Sequence, residues 1–258
     1  MKEGLKMGLF NKTPEEKFEK ASMASSGRKM LKLAEGGMQK AMTSVAYKYS
    51  RGFGLKKDLK KAKYWADKAA DVKAFGESID TIEAYFTKGN ICLEFKTAES
   101  NKEAKESFKT AYSIALPEDK DYSYYKSMSG ATLARLYMAD NENLEEAKEI
   151  LLECKRSYFP EAQFQLARYS YYIENNLVPA VKYFQELLDR KNMEGEDIIF
   201  EMEDITTDYL KKVNALKDNE VSLKTIDELE ALLEFLTENQ WEEYILEEVA
   251  GLIKRFKG

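Results

Sequence analysis

The stretch from Ala41 to Ala70 carries two apolar stripes at helical spacing, separated by a glycine-bearing turn. Val45, Ala46 and Tyr49 share one face of a first helix; Ala62, Trp65, Ala66 and Ala69 share one face of a second, at separations of three and four residues. Small residues let two helical backbones approach closely while the aromatic rings fill the space beside them. Gly52 and Gly54 give the turn its backbone freedom, and Asp58 stands where a side chain would cap the second helix. On this reading Trp65 is a packing residue and not a stacking surface for a ligand. A helix pair with such stripes cannot bury them alone, so it requires neighbours of the same kind.

Those neighbours are visible as a weaker echo. The triad Ala104, Phe108, Ala111 recurs as Ala147, Leu151, Cys154 and as Ala180, Phe184, Leu187: small, then large, then small or apolar, at +4 and +7. Counted from Ala62, the leading residues are 42, 43 and 33 positions apart. First helices precede them: Ala162, Leu166 and Ala167 repeat the pattern of Ala41, Val45 and Ala46, and Leu133, Ala134 and Tyr137 supply it in the preceding unit. In the unit from Glu77 to Leu116 either Gly89 or Cys92 can take the small position, which leaves its register open.

As it stands, Y-x2-G-x-G-L-x2-D-x2-K-A-x2-W-x2-K-A-A from Tyr49 to Ala70 resembles the Sel1-like repeat, a relative of the tetratricopeptide repeat. The resemblance is strong over about 30 residues and degenerate beyond them. It implies an all-α solenoid of stacked antiparallel helix pairs, a type common in bacteria, with first helices lining a concave surface that holds a peptide or a partner's helix.

The punctuation of the chain agrees with helices. Thirteen glycines and four prolines are too few for a many-stranded sandwich or barrel. Thr13-Pro14-Glu15-Glu16 orders a capping hydroxyl, a proline suited to a first turn, and acids at the positive end of the helix dipole. Pro117, Pro160 and Pro179 read as boundaries between helices, and Ala24-Ser25-Ser26-Gly27 separates the first helix from the second. The expected organisation is an N-terminal helical extension or cap over 1–36, repeats over 37–194, and acidic capping helices over 195–258. In the last segment the helical period continues through Ile198, Ile205, Tyr209 and Val213, then Leu229, Leu232, Leu233, Leu236, Trp241, Ile245 and Leu252.

The absence of histidine from all 258 residues removes whole reaction classes. No Ser-His-Asp or Cys-His nucleophile pair, imidazole base, or histidine-containing zinc or haem site can be built. Cys92 and Cys154 cannot make a four-cysteine zinc site and are expected as small buried hydrophobes. Gly52-Phe53-Gly54 lacks the rest of a phosphate-binding loop. The acidic run Glu194, Glu196, Asp197, Glu201, Glu203, Asp204 and Asp208 lacks the loop spacing of a calcium site and reads as a solvated face. The expectation is therefore no catalysis, no cofactor and no metal. The N-terminal residues lack the pattern of a secretory signal, and no apolar run is long enough to span a membrane, which points to a soluble cytoplasmic protein; Met7 offers a second start.

Charge is uneven along the chain. Residues 1–75 carry 18 Lys+Arg against 8 Asp+Glu, while residues 191–250 carry 5 against 18. Three readings stay open: a solvated surface, steering of a protein partner or head-to-tail self-association, and nucleic-acid binding at the basic end. The third lacks a recognition motif and interleaved exposed aromatics, so nucleic acid is not expected. The resemblance implies partner contacts by Tyr47, Ser50, Asn90, Leu93, Arg135, Met138, Arg168 and Tyr171 on the concave face. Arg135 and Arg168 would then suit an acidic ligand, or would merely pair with nearby acids. The reading is a non-enzymatic interaction scaffold for a protein or peptide, with a regulatory sensor of a short peptide or small signal as its alternative and an enzyme of unknown type as the third.

Overall fold

A computed structural model describes residues 12–24, 26–72, 78–115, 124–156, 159–190 and 195–258. Met7, Ser25, Pro117 and Glu194, each of which figures in the sequence reading, lie outside the described residues. Among the described residues the chain is all-α, with no strand. Its helices are α1 (Pro14–Met23), α2 (Gly27–Glu35), α3 (Gln39–Arg51), α4 (Leu59–Ala70), α5 (Ile79–Leu93), α6 (Ala98–Ser113) and α7 (Tyr124–Asp140). They are followed by α8 (Leu144–Arg156), α9 (Pro160–Tyr172), α10 (Leu177–Arg190), α11 (Gly195–Asn214), α12 (Leu223–Glu238) and α13 (Glu243–Lys257). The chain separates into two compact units, residues 1–133 and 134–258, divided within α7. No linker composition marks that division in the sequence.

In the first unit α1 packs on α2, α2 on α3, and the hairpins α3–α4 and α5–α6 stack through α4 on α5 and α3 on α5. Local chemistry sets the ends. Thr13 and Glu16 form a reciprocal capping box: the Thr13 hydroxyl accepts from the Glu16 N–H at 3.2 Å, and the Glu16 carboxylate accepts from the Thr13 N–H at 3.0 Å. Asp58 caps α4 by accepting from the Lys61 N–H at 3.0 Å, and that bond leads the causes holding its carboxyl below the ordinary range. Gly52 ends α3 with φ +80°, a left-handed conformation that a side chain would resist. Pro14 and Pro160 open α1 and α9, and Pro179 lies in the first turn of α10. At such positions the missing N–H costs nothing.

The repeated triads are the core. Ala104, Phe108 and Ala111 are fully buried, as are Ala147, Leu151, Ala180 and Phe184, and Trp65 is buried among Ala62, Ala66 and Ala69. Gly89 settles the open register of α5: a Cβ added there would stand 2.7 Å from the Phe108 ring, so the glycine admits that ring from α6. Cys92 and Cys154 are buried free thiols. Beside Cys92, Lys63 of α4 and Lys88 of α5 each bridge Asp67 of α4 and Glu103 of α6, at 3.0 and 2.8 Å for Lys63 and 3.0 and 3.2 Å for Lys88. Alternating signs thus close a four-membered ring over three helices. Burial alone would raise the Glu103 carboxyl, but hydrogen bonds from Lys63 and Lys88 outweigh it and hold the group below 4.5. Burial pushes the Cys92 thiol up to about 11, and Glu103 adds to that effect.

In the second unit α8 packs on α9, α9 on α10, α10 on α11 and α12, and α12 on α13. One core runs from Ala167 through Phe184, Ile198, Ile205, Leu229 and Leu236 to Leu252. Leu233, Trp241 and Ile245 pack against it. Glu228 of α12 is buried and accepts from the Leu177 N–H, the first residue of α10, at 3.0 Å. It also accepts from the Tyr209 hydroxyl of α11 at 3.0 Å. A carboxylate borrowed from a distant helix therefore caps α10 and complements its dipole.

Three outcomes follow from this packing. Phe108→Ala removes a ring whose cavity the glycine-backed site cannot refill, and should cost about 3–5 kcal/mol in chemical denaturation, where a near-neutral effect contradicts the placement. A carboxylate with a lowered folded pKa stabilises fully above its ordinary value of 4.5 and loses that contribution as pH falls through the lowered value. The stability gap between wild type and Glu103→Gln should accordingly be constant above pH 4.5 and shrink below it; a pH-independent gap denies the ring its role. At pH 8, Cys92 should resist alkylation in the folded protein and react once it is unfolded, as read by mass spectrometry.

Candidate functional site

The expected contact residues divide between the two units. In the first unit, Tyr47 is 49 % exposed near the end of α3. Ser50, one turn on, is buried, and its hydroxyl donates to the Tyr47 carbonyl at 2.9 Å. It is therefore a packing residue and not a partner contact; the small hydroxyl fits because its own helix satisfies it. Asn90 is half-buried and donates to the Phe86 carbonyl at 3.0 Å, and Leu93 is half-buried beside it.

Tyr47 instead belongs to a surface that the sequence pattern does not single out. Phe53, at the tip of the α3–α4 turn, is 58 % exposed, and its ring centroid lies 6.1 Å from that of Tyr47. Lys48 and Arg51 adjoin them on α3, and Lys56 and Lys57 follow in the turn. Arg51 and Lys57 both reach Glu94, each at 3.9 Å, the outer limit of an ion pair. Lys48 and Lys56 have no ion pair to any described residue. Lys60 and Lys61 occupy the first turn of α4, where cations oppose the helix dipole. Tyr64, also exposed, lies under Lys68, whose ammonium is 4.8 Å from the ring centroid. Exposed rings are thus interleaved with cations here, which corrects the expectation that they are absent from the basic end.

In the second unit the two arginines differ. Arg135 is exposed, with no ion pair to any described residue. Arg168 donates from Nε to Glu201 of α11 at 3.0 Å and lies 5.7 Å from the Tyr172 ring centroid. Tyr171 is buried, donating its hydroxyl to Asp208 at 2.6 Å, with Lys212 on the same carboxylate, also at 2.6 Å. Burial first, then Asp208, raises the Tyr171 phenol far above its ordinary range. Tyr171 is a further correction: it is an internal strut between α9 and α11. Met138 is half-buried. The acidic run is likewise not one solvated face, since Glu201 and Asp208 are committed to α9.

Among the described residues no cluster of three or more potential ligands could hold a metal ion, and no helix is long and apolar enough to cross a membrane. Among the described residues the arrangement offers surfaces of exposed rings and charges.

No protein-family model and no curated protein matches the sequence. Solved structures do. A Sel1 repeat protein from Oxalobacter formigenes is 18 % identical with a TM-score of 0.56, the match covering 85 % of each chain. The c5321 protective antigen of uropathogenic Escherichia coli, which displays an SLR fold, is 15 % identical at a TM-score of 0.55, over 95 % of this chain and 61 % of that one. The human IFIT1 dimer with PPP-AAAA is 14 % identical at 0.55, over 94 % of this chain and 52 % of that one. This chain therefore spans little more than half of the last two. With the triads buried as described, these likenesses give the chain the Sel1-like and tetratricopeptide-like repeat fold.

Proposed function

We propose that this protein is a non-enzymatic interaction scaffold that holds an acidic segment of a protein partner on the surface formed by Tyr47, Phe53 and the surrounding cations of α3 and the α3–α4 turn. The observation that carries the reading is the exposed ring pair flanked by Lys48 and Lys56, which no described residue neutralises. Aromatic rings and arginine dominate binding energy where protein surfaces meet, because they bury much area at small entropic cost. Fixed cations around them select for an anionic partner and speed its approach. The repeat fold suits the task, since its rigid hairpins hold a surface in place without needing a catalytic centre. Arg168, already neutralised by Glu201, has no such role; Arg135 stays available.

Affinity capture from the native cell, on immobilised wild type and on the Tyr47→Ala/Phe53→Ala and Lys56→Glu/Lys57→Glu variants, tests this. Protein partners held by wild type should be lost from both variants. Equal recovery on all three contradicts the reading, as does a captured set that nuclease removes, which would make the anion a nucleic acid.

The two arginines should also separate in thermal unfolding. Arg168→Glu sets a like charge against Glu201 and should lower the midpoint, whereas Arg135→Glu, at an exposed residue with no ion pair to a described residue, should leave it nearly unchanged. Equal shifts contradict the assignment.

A further inference from the structure

The outer face of α11 carries a second unusual surface. Phe200 is 64 % exposed at its centre. Glu196, Asp197, Glu203 and Asp204 lie at −4, −3, +3 and +4 from it, so all four share its face of the helix. All four are exposed, and none has an ion pair to a described residue. The opposite face of the same helix is spent on the core, through Ile198, Met202, Ile205 and Tyr209. The other two acids of the helix, Glu201 and Asp208, are bound to α9 instead, and Lys211 ends the acidic stretch. A large ring ringed by four carboxylates is costly to leave in water on both counts. The ring forgoes burial, and like charges within a turn or two repel one another.

Its chemical complement is present in the same sequence. The α3–α4 surface presents exposed rings, Tyr47 and Phe53, among Lys48, Arg51, Lys56 and Lys57. We propose that the Phe200 face of one molecule docks on the Tyr47–Phe53 surface of a second copy, so that the protein assembles through unlike surfaces on its two units. The proposal rests on the reading above that the α3–α4 surface takes an acidic protein segment, and it names that segment. Ring meets ring at the centre, where water is excluded, and carboxylates meet cations around them. Because the two surfaces differ, the contact is heterologous, and each molecule keeps one of each. Most of its charge pairs are exposed at the rim, so the association should weaken steeply as salt shortens the screening length.

Sedimentation velocity on the full chain tests this, over a concentration series reaching about 100 μM, the range where contacts of modest area become populated. At about 50 mM salt wild type should exceed the 29.7 kDa of one chain, and at about 300 mM it should return to it. Phe200→Ala, Glu203→Lys/Asp204→Lys and Lys56→Glu/Lys57→Glu should each weaken self-association at least tenfold. All are exposed substitutions, and unchanged far-ultraviolet circular dichroism and melting would show that the variants fold. Mixing the last two should restore a heteromeric species, because the intact basic surface of one meets the intact acidic face of the other. Wild type that stays monomeric at low salt, or association that survives every variant, overturns the proposal. A monomer that still loses its captured partners on Tyr47→Ala/Phe53→Ala would end this inference alone. The converse result, self-association with capture unaffected, would end only the reading of a separate partner.

Discussion

Close approach of helices at the hairpin seams is the constraint on which the rest of the structure depends. Stacked helix pairs need a small residue wherever a large one crosses from the neighbour, and the sequence meets that need with alanine at Ala62, Ala104, Ala147 and Ala180, all fully buried. Gly89 is the extreme case, where even a methyl group would collide with the Phe108 ring. The same economy of volume explains why two free cysteines are buried beside these seams: a thiol is small and apolar enough to fill a gap that leucine would overfill. Once the seams are closed, the outer faces of the helices are free to carry charge.

How that charge is used differs between the units. In the first, four alternating charges tie α4, α5 and α6 together at partly exposed positions, where such a ring contributes register more than raw stability. In the second, carboxylates act as internal fittings: Glu228 caps α10 and receives Tyr209, while Asp208 and Glu201 bind Tyr171 and Arg168. Other charges have no ion pair to a described residue, among them Lys48, Lys56, Glu196, Asp197, Glu203 and Asp204. These six lie around exposed rings of opposite surroundings, cationic at Tyr47 and Phe53 and anionic at Phe200, and they are the basis of the contact role proposed for the chain.

Most of the fold was legible because helical period and small-large alternation are local signals. Ala41 to Ala70 reads as a hairpin without reference to any other residue, and its capping groups, Asp58 and Gly52, stand where the turn requires them. The triads of α6, α8 and α10 are recoverable for the same reason. The surfaces were legible only in part. Carrying a concave face forward by offset gave Tyr47 and Arg135, which are exposed, but also Ser50 and Tyr171, which are buried, because an offset of three along a helix can fall at the edge of the packed stripe. Phe53 escaped notice because a turn residue obeys no period. The pairing of Arg168 with Glu201 spans 33 residues, and that of Leu177 with Glu228 spans 51; only the tertiary fold brings such groups together. One signal for Phe200 was available: acids at three and four residues on both sides of a phenylalanine cannot share a buried face with it.

The most direct measurement of the central claim is a double-mutant cycle across the α5–α6 seam, with Gly89→Ala and Phe108→Leu made singly and together and unfolding followed in denaturant. If the glycine exists to admit the ring, the added methyl should be costly against phenylalanine and much less so against the slimmer leucine, giving a coupling of about 1–3 kcal/mol. Additive effects would mean that the two residues do not meet, and that the seam on which the stacked hairpins rest is drawn wrongly.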